Sequence, residues 1–353
     1  MGGYGANDFA SAGGRARLLV ITGCDSSPRQ SSQGGYRFGG NSDIYKLLPD
    51  NLAFEELNLS RRFFKLRGQP DLHRYDCVLN LVTDPDQHPQ TLAMLRKLLR
   101  GYKGRVINRP EAVLRTTRDQ VAKRLSGIDG LLVPKVVRLR HPKPGAASAA
   151  ARRNGLAYPL IVRLAGTHSG RIVGLVHGPA ELDAAAAGPG EFVMTEFVDF
   201  RSPDGLYRKH RVFLIGRRRI FRHLIGADSW NIHAKERFAF MAHHPALIAE
   251  EQRLLEDPEG VLPPQVAAAI EMVRARMGLD FFGMDFGVAA DGRAVLFEAN
   301  ATMNFFPVVN DPPFEHIECV IRPARAALLE LLGSVAQQAA AFSAARPPVA
   351  AAK

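Results

Sequence analysis

Residues 281–306, FFGMDFGVAADGRAVLFEANATMNFF, constrain this chain more than any other stretch. Asp291 and Gly292 form a two-residue hairpin signal between two runs that read as strands. With that pair as the turn, Asp285 lies opposite Glu298, and Asn300 projects from the same face two residues further on. The other face then carries Met284, Phe286, Val288, Val295 and Phe297, a plausible core side. Two carboxylates directly opposite on a ladder repel each other. A hard divalent cation such as Mg²⁺ removes the repulsion, because it takes carboxylate and amide oxygens and keeps sites for waters and phosphates. The plain alternative is a surface hairpin with solvated acids. The apolar flanks FFGM and NFF argue that the acids are enclosed.

Around this hairpin the chain has ordinary bulk properties. At 353 residues it is long enough for two or three packed subdomains. Its 46% hydrophobic and 23% charged content suits a soluble globular protein. No apolar run of spanning length and no secretory h-region occur, so a cytoplasmic protein without membrane partners is expected. Cys24, Cys77 and Cys319 are odd in number and far apart, which builds neither a disulfide framework nor a zinc site. The net charge of +11 fits nucleic acid or nucleotide phosphates equally well. The basic residues are spread along the chain without a nucleic-acid motif, so no nucleic-acid partner is expected.

Read along its length, the chain divides into a loose Gly/Ala/Ser leader (1–15), a strand–helix–strand α/β region (16–107), two further regions (108–190 and 191–333) and an Ala/Pro-rich tail (334–353). The first region places strands at 17–21 and 77–82 and a helix at 90–100. Strands follow at 159–164 and 171–176 around the small loop AGTHSG, then at 192–200, and helices at 245–257 and 264–277.

Other clusters carry weaker signals. Arg163 ends the strand PLIVR just before AGTHSG, a loop that brings backbone N–H groups near phosphates or is simply a hairpin turn. Lys209 and Arg211 share one strand face. With a turn at Gly216 and Arg217, Arg222 lies opposite Arg211 and His223 opposite His210. An anionic ligand resolves that repulsion, and a basic solvent-facing hairpin is the bland alternative. Trp230, the only tryptophan, lies near His223 and His233 in sequence; those histidines lack the companions of a zinc site.

Taken in order, the Arg before a Gly loop, the TEFV strand, the Lys-x-Arg strand, and the Asp followed by Glu-x-Asn resemble the ATP-grasp superfamily. The chain looks most like bacterial ATP-grasp modules, some of which accompany tetratricopeptide repeats. NLVTDPD, NRPEAVLRTTRD, DGLYRKHRVF, EEQRLLEDP and LDFFGMDFGV…LFEANATMN carry the resemblance, from about residue 76 to 304. It implies an α+β ATP-grasp fold behind a small α/β pre-ATP-grasp domain. ATP is then expected between two antiparallel sheets, under the loop holding Gly166, Ser169 and Gly170. Arg118 and Arg163 stand where many members place phosphate-binding lysines, a departure that puts phosphate geometry in question. The resemblance implies adenine pairing around Glu196 and Val198, and Lys209 at the terminal phosphates. It makes Asp285, Glu298 and Asn300 ligands of one or two Mg²⁺ ions, with Mn²⁺ as an alternative. Arg211 serves phosphoryl transfer or the substrate carboxylate, and Arg222, His223, Trp230, His233 and Asn304 border the acceptor pocket.

The activity implied is ligation of a small-molecule or peptide carboxylate to an amine through an acyl phosphate. A phosphotransferase is the alternative, favoured by the cluster Arg211, Arg217, Arg218, Arg219 and Arg222. A non-catalytic ATP-binding protein is the other. A homodimer is the default assembly.

Overall fold

The computed structural model describes residues 17–26, 29–30, 36–37, 39–50, 52–59, 70–166, 172–306 and 312–333. Three larger sheets organise the described residues, beside a two-stranded one of Arg29–Gln30 and Tyr36–Arg37. The first is parallel, built from β1 (Leu18–Gly23), β2 (Phe54–Leu59), β3 (Cys77–Asn80) and β4 (Arg105–Ile107) in the order β2-β1-β3-β4. The central strands LLVI and CVLN are buried on both sides, as parallel strands covered on two faces must be. Helix α1 (Pro89–Leu98) starts at a proline. The Asp25 carboxylate accepts from the N–H groups of Gln90 and Thr91 at 2.9 and 2.7 Å, satisfying two donors of its first turn.

After α2 (Arg118–Leu125), the second sheet is antiparallel. It comprises β6 (Val136–Arg140), β7 (Leu160–Leu164), β8 (Ile172–Val176) and β9 (Glu191–Glu196), ordered β8-β7-β9-β6. The boundary drawn at 190 from sequence therefore falls ahead of β9, which belongs to this sheet. Alternation sets its two faces. Leu160, Val162, Phe192 and Met194 enter a core shared with the alanine stripe of α3 (Ala146–Arg153) and with Leu182 of α4 (Pro179–Ala185). Ile161, Arg163, Val193 and Thr195 point the other way, into a cleft.

The third sheet faces that cleft from the opposite side. Its order is β11-β10-β12-β13-β5, with β5 (Leu131–Leu132), β10 (Tyr207–Ile215), β11 (Arg218–Ala227), β12 (Phe281–Val288) and β13 (Ala294–Asn300). Helices α5 (Pro245–Glu256), α6 (Pro264–Met277) and α7 (Ile321–Leu332) complete the main core around Phe281, Phe282, Met284 and Phe286. Sequence periodicity gives α6 the bounds found; Gly278 ends it with φ +66°. Helix α7 ends at Leu332 and Gly333 follows it; residues beyond 333 lie outside those described.

Buried Asn108 bolts the first sheet to the third. Its Oδ1 accepts from the N–H groups of Asp280 and Phe281 at 2.8 and 3.2 Å, and its Nδ2 donates to the Phe281 carbonyl at 2.8 Å. No helix among the described residues is long and apolar enough to cross a membrane.

Candidate active site

The cleft between the second and third sheets has a volume of about 690 Å³, within the range of small-ligand sites. One end is apolar: Ile161, Val198, Phe200, Trp230, Val295 and Phe297 line it, with Trp230 edge-on to Phe197 at 5.4 Å. The other end is ionic. His223, Arg211, Asp285 and Glu298 form a row across four adjacent strands, each the register partner of the next. Asn300 follows Glu298 on the same face, opposite Gly283.

Asp285 and Glu298 are thus opposed as the sequence predicts, by a different route. The loop is one residue longer than the predicted turn, because Ala289 pairs with Arg293 around Ala290, Asp291 and Gly292. Gly292 takes φ +80°, which suits the last position of a three-residue hairpin loop. A bulge between Asp285 and Phe286, opposite Leu296 to Glu298, then restores the register. One expectation falls with this. Val295 and Phe297 face the cleft, and Ala294 and Leu296 take the core positions against Val288 and Phe286.

The second hairpin turns at Gly216 and Arg217 as expected and keeps its predicted register from Ile215 to Val212. A bulge between Arg211 and Val212 then breaks it. His223, not Arg222, lies opposite Arg211, and Leu224 lies opposite His210. Arg222 turns inward, donating from Nε to the Phe305 carbonyl and from Nη2 to the Phe306 carbonyl, both at 2.8 Å. The predicted arginine cluster is likewise dispersed. Arg218 pairs with Glu330 at 3.1 Å, and Arg219 pairs with Glu259 and Glu271 at 2.5 and 3.4 Å.

The opposed carboxylates have protein partners, which corrects the premise that only a cation makes them tolerable. Arg211 donates from Nε and Nη2 to the two oxygens of Asp285 at 2.7 and 2.8 Å. Arg118 pairs with Glu298 at 2.8 Å and donates to the Phe297 carbonyl at 2.9 Å. Burial alone would raise the Asp285 carboxyl, but the Arg211 guanidinium holds it below the usual carboxylate range. Asn300 donates to Glu298 at 2.7 Å and accepts from the Met303 N–H at 2.8 Å.

Asp285, Glu298 and Asn300 suit Mg²⁺ by donor type, hard oxygens on neighbouring strands. Among the described residues no group of three or more His, Cys, Asp or Glu forms a metal cage. Such a cation would therefore need oxygens from a ligand, and it would take the carboxylates over from the two arginines.

Two further cations line the cleft without a carboxylate partner among the described residues. Arg163 is pushed down to about 10 by burial and then by neighbouring Arg118. Lys209 is lowered chiefly by burial, and its Nζ donates to the Ile232 carbonyl at 2.6 Å. Arg118, Arg163, Lys209 and Arg211 against Asp285 and Glu298 leave two positive charges in excess.

Trp230, His233 and Asn304 also line the cleft. Burial, followed by Lys209 and Lys235, keeps His233 below its ordinary range. His223 is half-buried beside Arg211 and lowered well below that range by desolvation and surrounding cations; its buried Nε2 has no partner among the described residues. The Glu196 side chain accepts from the N–H groups of Ala157 and Lys135 at 2.9 and 3.3 Å. The Glu196 and Phe197 amides donate to the Lys135 and Pro159 carbonyls, so among residues 196–198 only the Val198 amide makes no backbone bond to a described residue. Gly166 has φ +71°, and its carbonyl accepts from Gln87 at 2.9 Å; Ser169 and Gly170 lie outside the described residues.

No family model matches the sequence, and no curated protein matches it. Solved structures do. The VanG D-Ala:D-Ser ligase from Enterococcus faecalis superposes with a TM-score of 0.50 at 15% identity, over 89% of this chain and 99% of that one. D-alanine–D-alanine ligase from Bacillus anthracis complexed with ATP gives 0.47 at 14%, over 94% and 99%. Macrocyclase MdnC bound with precursor peptide MdnA, from Microcystis aeruginosa MRC, gives 0.46 at 13%, over 87% and 99%. The first of these carries the fold, and at such identity it speaks of fold alone.

Proposed function

We propose that this chain, which has the ATP-grasp fold, is an ATP-dependent ligase joining a carboxylate to an amine. The observation that carries the reading is the cleft's charge. Arg163 and Lys209, which have no carboxylate partner among the described residues, stand beside two arginine-held carboxylates, between the second and third sheets and next to an apolar slot. ATP⁴⁻ with one Mg²⁺ carries two negative charges, which balances the excess.

In this reading the adenine ring enters the slot lined by Val198, Phe200, Val295 and Phe297, with the Val198 amide as a donor. Arg163 and Lys209 hold phosphate oxygens. Asp285, Glu298 and Asn300 would hold the Mg²⁺, and Arg118 and Arg211, released from the carboxylates, would then be free to bind phosphate oxygens. Mg²⁺ or Mn²⁺, when bound, offsets charge on the transferring phosphoryl oxygens.

A substrate carboxylate oxygen attacks the γ-phosphorus, the bond to the β–γ bridging oxygen breaks, and ADP departs. Arg211 stabilises the charge moving in this step. The amine nitrogen then attacks the acyl carbon, inorganic phosphate leaves with the C–O bonding electrons, and the amine loses its proton. No side-chain nucleophile is required. His233 and Asn304 border the acceptor end, Trp230 belongs with the apolar slot instead, and the inward turn of Arg222 gives it a framework role. Of the arginines compatible with a phosphorylated acceptor, Arg218 and Arg219 are engaged in ion pairs elsewhere and Arg222 bonds two backbone carbonyls, while Arg211 lines the cleft.

The test is an ADP-release screen with Mg-ATP against paired acids and amines, with mass spectrometry of the product. Amide formation with free phosphate supports the ligase. Phosphate retained on the acceptor, or no ADP released with any pair, refutes it.

A further inference from the structure

We propose that Phe306 is a specificity residue, whose ring walls the acceptor end of the cleft and selects a substrate carrying an apolar, ring-sized group beside its reacting carboxylate or amine. The assignment of this end to the acceptor rests on the ligase reading above.

Phe306 lines the same cleft as Lys209, Arg211, Asp285 and Asn304. Along the chain, Val295 and Phe297 serve the apolar slot, Glu298 and Asn300 follow, and Phe306 lies beyond them. Its carbonyl is held by Arg222 of edge strand β11, with β10 and β12 between that strand and β13, which carries Val295 and Phe297.

Its backbone is unusual. Phe306 has φ +51°, a left-handed conformation that a bulky side chain rarely adopts and glycine takes freely. Two buried charged groups impose it. Asp43 accepts from the Phe305 and Phe306 N–H groups at 2.6 and 2.9 Å. From the other side, Arg222 donates to both carbonyls at 2.8 Å. Asp43 and Arg222 are 7% and 6% exposed, so these charge-assisted bonds form largely away from water.

The two rings then part. Phe305 turns fully inward against Phe213 at 5.0 Å, with the Arg222 guanidinium over its face. Phe306 stays 53% exposed at the cleft wall. Isolated exposed apolar residues are ordinary. This one differs because the clamp acts only on its backbone and Phe305 supplies the packing. Glycine would satisfy the same four bonds with less strain, so those bonds do not account for the ring.

The experiment uses the full chain with hydrocinnamate against propionate and phenethylamine against ethylamine, titrated by ligand-observed NMR with and without Mg-ADP. At least one ring-bearing probe should bind ten-fold or more tightly than its small counterpart. Phe306→Gly should erase that preference without lowering the melting temperature, and Phe306→Leu should keep most of it. Equal binding of ring-bearing and small probes, or a preference unchanged in Phe306→Gly, overturns the proposal. So does a melting temperature that drops in Phe306→Gly as after a core truncation, because the ring is then structural. Titrating Mg-ADP alone reads the nucleotide site separately. Its failure sinks the ligase reading, and the probes without nucleotide still decide whether Phe306 selects a ring.

Discussion

Arg211 and Asp285 face each other on adjacent strands and share two parallel hydrogen bonds of 2.7 and 2.8 Å. The pair is largely buried, with side-chain exposures of 17% and 8%. Removing one partner strands a buried charge and costs about 3–5 kcal/mol. Arg211→Ala and Asp285→Asn should each lower stability in denaturant unfolding as well as abolish ADP release. The double variant Arg211→Met, Asp285→Leu should regain most of the lost stability with no turnover. A stable single variant with wild-type turnover would remove the pair from both fold and function.

Arg163 makes the opposite prediction, because no carboxylate among the described residues holds it and burial disfavours its charge. Arg163→Ala relieves repulsion with Arg118, so stability should hold or rise. If Arg163 holds phosphate, nucleotide affinity should fall by about thirty-fold, the equivalent of a charged hydrogen bond of about 2 kcal/mol. Calorimetric titration with Mg-ADP, alongside thermal melting, reads the two effects independently. Destabilisation with unchanged affinity would make Arg163 a framework residue.

The opposed acids were legible in the sequence because two departures cancel: a three-residue loop in place of two, and a bulge at Phe297 that restores the register. At the other hairpin the bulge after Arg211 has nothing to offset it, so Arg222 and His223 exchange roles. The bulged residue Phe297 packs against Phe200 at 4.6 Å, a tertiary contact that strand arithmetic does not contain. Strand β2 carries little apolar signal because Glu55, Glu56 and Asn58 occupy this edge strand, and α3 carries little because its apolar positions are alanines between prolines and glycines. Asp43 had no local signal at all. Its partners Phe305 and Phe306 lie 262 and 263 residues away.

Buried His210 gives the chain an acid sensitivity with a definite sign. It stacks on Phe286 at 5.0 Å, its Nδ1 has no partner among the described residues, and burial pushes it down to about 4. In the unfolded chain it titrates near ~6.5. Between these values the unfolded state binds a proton that the folded state refuses, so stability is full above about pH 6.5 and falls as pH drops toward 4. The slope from this one group approaches about 1.4 kcal/mol per pH unit within that window. His210→Phe keeps an aromatic ring against Phe286 and removes the titration. It should leave stability at pH 7 near wild type and reduce the acid slope by about that amount, in unfolding curves taken from pH 7.5 to 4. An equally steep slope in His210→Phe would assign the acid sensitivity to other groups, His223 first among them, since it too is held well below its ordinary range by burial and neighbouring cations.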